Sequence, residues 1–217
     1  MRAEARMRGT ERQTVRCRLC VGQLAHVSPI IEEMRDTGDV IELVESQPIM
    51  MSVLRAVSAL GIDDCWVAAG LVRNAVWDRL HGYAAGLVPG ADVDVIFCDR
   101  ALSSLELDLA IERRLVSALP GIPWSVHNQA RMYARNADPA YLDCEHAIGF
   151  YPETATAIAV RMRDGNVQLI APHGVDDLLH LIVRPTPAFR RKITAYERRL
   201  AAKNWAQRWP RLTFLPA

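Results

Sequence analysis

Two aspartates separated by one residue, Asp92-Val93-Asp94, open the apolar run Val93-Asp94-Val95-Ile96-Phe97. Alternation along a β-strand puts Asp92 and Asp94 on one face and Val93 and Val95 on the other. Acidic residues are depleted in apolar strands and are seldom buried without a partner, so the pair points to a ligand, and paired carboxylate oxygens suit Mg²⁺ or Mn²⁺. Upstream lies Ala69-Gly70-Leu71-Val72-Arg73-Asn74. A glycine between a strand and a helix lets backbone approach a ligand, and the helix N-terminus offers unpaired N–H groups that favour a phosphate. Arg73, in the first helical turn, can add a charge-assisted fork. Two metal ions about 4 Å apart stabilise the attacking oxygen and the leaving group of an in-line displacement, which is the logic of nucleotidyl transfer. The competing explanation is that Asp92 and Asp94 finish a loop and solvate an edge strand.

The elements that must position these groups follow from periodicity. A first helix is expected over Pro29 to Arg35 and a second over Pro48 to Leu60, where Pro48 suits a first helical position and Gly61 an end. Cys65 to Ala69 reads as a buried strand, and Leu71, Val72, Ala75, Val76 and Leu80 recur at helical spacing up to Gly82. Tyr83 to Ala91 is a loop rich in glycine and proline. Ser103 and Glu106 have the spacing of a capping box for a helix that ends at Pro120-Gly121, and Pro123 to His127 reads as a third strand. Asn128 to Phe150 is helical but interrupted at Pro139. Thr154 to Met162, Asp164-Gly165 and Val167 to Ile170 form a hairpin. A short helix follows within Pro172 to Val183, and Phe189, Ile193, Tyr196 and Leu200 mark a last one. This order predicts an α/β (α+β) domain over 46–217, with a central mixed sheet and flanking helices, preceded by a loosely attached extension over 1–45.

The Ala69 to Asn74 turn followed by Asp92-Val93-Asp94 resembles the GGxVRD and DxD signature of the DNA polymerase β-like nucleotidyltransferases, particularly the head domains of tRNA nucleotidyltransferases. More closely, that turn with Trp77-Asp78, Leu80-His81-Gly82, Asp92 to Val95, Asn128-Gln129-Ala130-Arg131-Met132, Pro152 to Thr156 and Ala171-Pro172 through Asp176-Asp177-Leu178 resembles a bacterial nucleotidyltransferase-like family of undetermined substrate. The likeness spans Met50 to Pro187. It implies the nucleotidyltransferase fold, Gly70 and Arg73 beside a triphosphate, and Asp92 and Asp94 on Mg²⁺ or Mn²⁺. The implied partners are an NTP and an unidentified acceptor, whether small molecule, protein or RNA. Asn74, Asn128 and Arg131 are secondary candidates for ribose, acceptor or sheet organisation. The chain departs from the pattern at Ala69 and Asn74, which stand where the signature has a glycine and an acid. The third carboxylate that active members carry on a neighbouring strand is also missing from Trp124-Ser125-Val126-His127-Asn128. Asn128 could fill its place as a neutral ligand, and Glu153 is the best acidic substitute. General-base assistance is typically worth about 10²-fold to 10⁴-fold, so without it a nucleotide- or RNA-binding module is the alternative to an enzyme.

Composition narrows the classes further. A formal charge of +1 at pH 7 gives no global pull on nucleic acid, and half the 217 residues are apolar. Only Gly70 is present where a dinucleotide turn needs three glycines, which argues against a nicotinamide enzyme. Five cysteines, an odd number, do not form a secreted disulfide framework, and a cytoplasmic setting is the default. Cys17-Arg18-Leu19-Cys20 has the spacing of half a zinc site, with His26 alone nearby. No apolar run reaches the roughly 20 residues that span a bilayer. His81, His127, His173 and His180 suit structural roles better than catalytic ones. Arg131 and Arg135 could face phosphate or solvent, and Trp77 could stack on a base or pack in the core. Aromatics interleaved with basic residues from Phe189 to Trp209 could grip single-stranded nucleic acid or form a docked amphipathic helix with a solvated basic side.

Overall fold

A computed structural model describes residues 34–84, 86–101 and 103–216, and the Cys17/Cys20 pair and His26 lie outside them. Helix α1 (Thr37–Glu45) starts where the Asp36 carboxylate accepts from the backbone N–H groups of Gly38 and Asp39. The helix expected over Pro29 to Arg35 lies, but for its last two residues, outside the described residues, and the first described helix begins at Thr37. Val40 and Val44 of α1 are fully buried in the main core. Pro48 opens α2 (Pro48–Ser58), which places Met50, Val53, Leu54 and Val57 inward.

Strand β1 (Cys65–Ala68) leads directly into α3 (Gly70–Leu80), and β2 (Val93–Phe97) into α4 (Leu105–Ala118). The N-cap of α4 is Ser104, whose hydroxyl accepts from Leu107 N–H, one residue later than the capping box expected at Ser103 and Glu106. β3 (Trp124–Asn128) then turns into α5 (Gln129–Asn136), and α6 (Cys144–Ile148) follows. The segment Thr154–Thr156, expected to be strand, is a 3₁₀ turn: Thr154 N–H bonds the Arg184 carbonyl at 3.1 Å, and Thr156 N–H folds back on Glu153. Only from Ala159 does the chain extend, as β4 (Ala159–Arg163), which returns as β5 (Asn166–Ile170) through Asp164 and Gly165, both at positive φ as a tight hairpin requires.

The sheet has the order β3-β2-β1-β4-β5, with β2 and β3 parallel and the other pairs antiparallel. It is a mixed sheet with flanking helices, as expected. Strand alternation divides its residues cleanly. Cys65, Val67, Val93, Val95, Phe97, Trp124, Val126 and Val160 join the core that contains α1, α2 and α3. Trp66, Ala68, Ile96 and Ala159 face the other way, against Cys144 and Ile148 of α6.

After α7 (Asp176–Leu179) and β6 (Ile182–Val183), the chain closes with a 3₁₀ turn at Phe189–Arg191, α8 (Ile193–Lys203), α9 (Trp205–Arg208) and β7 (Thr213–Phe214). Trp205 and Trp209 meet Trp77 edge-on, with ring centroids at 5.4 and 5.1 Å. Beside them, the buried Asp78 carboxylate accepts from Arg208 Nη2 at 2.9 Å and Trp209 Nε1 at 2.7 Å, and Arg211 Nη1 donates to the Leu80 carbonyl. Trp77 therefore packs in the core, and the aromatic-basic C-terminal segment is docked. Asp78→Ala leaves Arg208 and Trp209 Nε1 without their acceptor. The expected loss is about 3 kcal/mol by urea unfolding, at the low end for a buried pair because the Arg208 side chain keeps 39% of its exposure.

Candidate active site

At the end of β1 the backbone bends through Ala69 at φ 51° and ψ −102°. Ala69 donates its N–H to the Ile158 carbonyl at 2.7 Å and accepts from Arg73 N–H at 3.0 Å, so the amides of Gly70, Leu71 and Val72 precede the first intrahelical bond of α3. A Cβ placed on Gly70 would lie 3.8 Å from the Asp92 carbonyl oxygen. The bend and the aspartates therefore adjoin. Asp94 sits in register between Ala68 of β1 and Ser125 of β3, and with Ala69 it faces a cavity of about 440 Å³. Asp92, two residues earlier, is exposed.

The far wall of the cavity comes from α5 (Gln129, Met132, Asn136), from Phe150 to Pro152, and from Phe189, Lys192, Ala195 and Arg199. Thr156 and His127 complete the end near Asp94. Burial pushes the Asp94 carboxyl above its ordinary value and the Asp92 charge adds to this, while His127, Lys203 and a hydrogen bond with Ser125 pull it down. His127 Nε2 lies 3.1 Å from Ser125 Oγ, which links the imidazole to the same polar patch.

The other candidate residues have committed partners. Arg73 is buried, its guanidinium 4.4 Å from the ring centroid of Trp205 and 5.0 Å from that of Trp77. Its Nη1 donates to Thr156 Oγ1 at 3.1 Å and its Nη2 to Asn74 Oδ1 at 2.8 Å. Burial lowers it to about 10, against the pull of Glu153, so it stays charged at neutral pH. Asn128, fully buried, caps α5 through Ala130 N–H and exchanges hydrogen bonds with the Asp99 backbone. Arg131 pairs with the buried Asp108 carboxylate. Glu153 is fully buried and holds Arg199 through Oε1 at 2.7 Å and Oε2 at 3.2 Å. The structure does not bring Glu153 to the aspartates as a third carboxylate. His81, His173 and His180 bond backbone groups through their rings.

Among the described residues, no group of three or more His, Cys, Asp or Glu side chains is arranged to hold a metal. Asp92 and Asp94 nevertheless fit a hard divalent cation. Mg²⁺ usually takes one or two carboxylates and completes its shell with substrate phosphates and water. A desolvated carboxylate beside a second negative charge is the electrostatic state that such an ion relieves. Sequence reasoning missed Ser125, Thr156, Lys192 and Arg199. Ser125 was within reach, because it is two residues before His127 and β3 alternates; the others depend on how the C-terminal segment folds back.

The family model for nucleotidyltransferases matches residues 55–214. A solved NMR structure described as a CCA-adding enzyme head domain is 32% identical, covers 86% of this chain and all of its own, and superposes with a TM-score of 0.77. The Thermotoga maritima CCA-adding enzyme bound to tRNA (18% identity, TM-score 0.51) and a CCA-adding enzyme bound to CTP (15%, 0.51) share the fold over 84% and 83% of the chain. The chain spans 43% of the length of each of these two. No curated protein matches it.

Two outcomes follow for the site. Ala69→Gly removes a positive-φ alanine, and relief of about 1–3 kcal/mol of strain outweighs the roughly 0.4–1 kcal/mol of added unfolded-state freedom. The variant should melt above the parent by calorimetry. Asp94→Asn in chelator should also raise the melting temperature at pH 7, because the folded carboxyl titrates above the unfolded one and its charged form is the destabilised one. That gain should shrink as pH falls to the ordinary carboxylate range, where both states bind the proton.

Proposed function

The chain belongs to the nucleotidyltransferase family, and from that premise we propose that it transfers a nucleoside monophosphate from an NTP to a hydroxyl or phosphate acceptor, with Mg²⁺ or Mn²⁺. The observation that carries this reading is the partly buried Asp94 carboxylate, facing a cavity beside Asp92 and the Gly70 bend. In the reaction the acceptor oxygen attacks the α-phosphorus and the bond to pyrophosphate breaks, in line. Asp92 and Asp94 would hold the cation, which supplies charge stabilisation on the phosphoryl oxygens and the leaving group. Ser125 and His127 hold the Asp94 carboxylate in place across the parallel strand pair. The bend at Ala69-Gly70 lets backbone approach the phosphates, with the early α3 amides as donors. Phe150, Tyr151 and Phe189 give the cavity an apolar side suited to a base, and its volume lies within the range of small-ligand sites.

An NTP donor accords with the CTP bound by one structurally similar enzyme. The acceptor is a small molecule, a protein or RNA. A cytoplasmic setting suits Cys65, Cys98 and Cys144, which are free thiols. No described helix is long and apolar enough to cross a membrane.

One observation favours a second reading. Ser125 stands opposite Asp94 on β3, where an acid would complete the cluster, and Glu153 is spent on Arg199. A nucleotide-binding module that has lost turnover would look the same. Pyrophosphate release, measured with each NTP, either metal and a panel of acceptors, separates the two. Asp92→Ala combined with Asp94→Ala should reduce release by at least about 10³-fold. Nucleotide binding with no release above that double variant would establish the module instead.

A further inference from the structure

Sequence assigns the triphosphate charge to Arg73, but that guanidinium is enclosed by Trp77 and Trp205 and bonded to Thr156 and Asn74. Arg199, the other arginine near Asp94, donates through Nε and Nη2 to Glu153. A polyphosphate at the Gly70 bend needs a cation that is still available. Along α8, Ala195, Arg199 and Lys203 are four residues apart and share one helical face, and the first two line the cavity. Lys203 is the last residue of α8. Asn204 then reverses the chain at φ 47°, and Trp205 lands on Arg73. Lys203 thus lies one helical turn beyond the cavity residue Arg199 and two residues before Trp205, which stacks on Arg73. It makes no ion pair or side-chain hydrogen bond among the described residues.

Resting on the nucleotidyl-transfer reading, we infer that the Lys203 ammonium receives the terminal phosphates of the bound NTP and remains with the departing pyrophosphate. The groups that face it are Asp94 and Glu153, which attract it, and Arg199 and Arg73, which repel it. Burial and the two arginines lower its proton affinity, so the charge is under-compensated where it stands. An incoming polyanion supplies the missing negative charge. A lysine suits the task because a compact charge on a flexible stem can follow the phosphates from bound triphosphate to free pyrophosphate. This places the donor's β- and γ-phosphates beside the C-terminal end of α8.

The test is calorimetric titration of the full chain and of Lys203→Ala and Lys203→Arg, each in Mg²⁺, with inorganic tripolyphosphate, an NTP and the matching NMP. Lys203 is exposed, so both variants should melt with the parent. Lys203→Ala should weaken tripolyphosphate and NTP by about tenfold to a hundredfold, the range of a charge-assisted hydrogen bond, with NMP affinity held and Lys203→Arg largely restored. Equal tripolyphosphate affinity in parent and Lys203→Ala overturns the inference, as does an equal loss for NMP, which would mark a wall residue. A parent that binds neither tripolyphosphate nor NTP overturns both this and the transfer reading. A Lys203-dependent polyphosphate site in a chain that never releases pyrophosphate keeps the inference and removes the transfer reading.

Discussion

The constraint on which the rest of this structure depends is the buried guanidinium of Arg73. A charged group taken out of water must find partners or lose its proton. Here the partners come from four places in the chain. Asn74 is its neighbour, Thr156 lies 83 residues on, and Trp77 and Trp205 supply aromatic faces from α3 and α9. Satisfying one charge therefore fixes the start of α3, the 3₁₀ turn before β4 and the C-terminal segment against one another. Its Nε remains without a hydrogen-bond partner. The aromatic faces are compensation of a different kind, favourable to a cation but undirected.

Docking the C-terminal segment has a functional consequence, because that segment is a wall of the cavity. Its nine basic residues from Arg184 to Arg211 stand with a single acid, Glu197, yet four of them are spent on acids elsewhere in the fold. Arg184 pairs with Asp177, Lys192 with Asp138, Arg199 with Glu153 and Arg208 with Asp78. What remains uncompensated on the sheet side is Asp94 with Asp92, the pair best placed for a cation. Pairing Lys192 and Arg199 within the cavity wall makes the field of the cavity more local.

How much of this was legible in the sequence follows from the range of the determining interactions. α2, β1, α3, β2 and β3 are each set by periodicity over a few residues and by a nearby proline or glycine, and they were readable to within a residue or two. The adjacency of Gly70 and the aspartates was readable too, since consecutive strands of a small sheet commonly pair. The Thr154–Thr156 turn was not, because β-branched residues favour a strand and only the bond to Arg184, thirty residues away, overrides them. Helix α1 was hidden by its position, where a polar N-terminal stretch looked detached while Val40 and Val44 fill the core. Among the site residues, Arg131, Asn128 and Glu153 are engaged by Asp108, Asp99 and Arg199, which are far in sequence, and no local pattern announces those partners.

Ala69 shows the same division at a single residue. By local rules the bend belongs to glycine, since φ 51° with ψ −102° crowds a Cβ. The conformation persists because its neighbours determine it. The Ala69 amide is drawn to Ile158, its carbonyl closes the first turn of α3, and the strand before it is paired on both edges, with β2 and β4. The sheet thus imposes the geometry that glycine would merely permit. A bend imposed in this way is pre-organised: it has few alternatives to lose when a ligand arrives, and Gly70 beside it keeps the close approach open. The Ala69 substitution therefore alters the stability of the turn more than its shape, and the shape is what phosphate recognition by backbone requires.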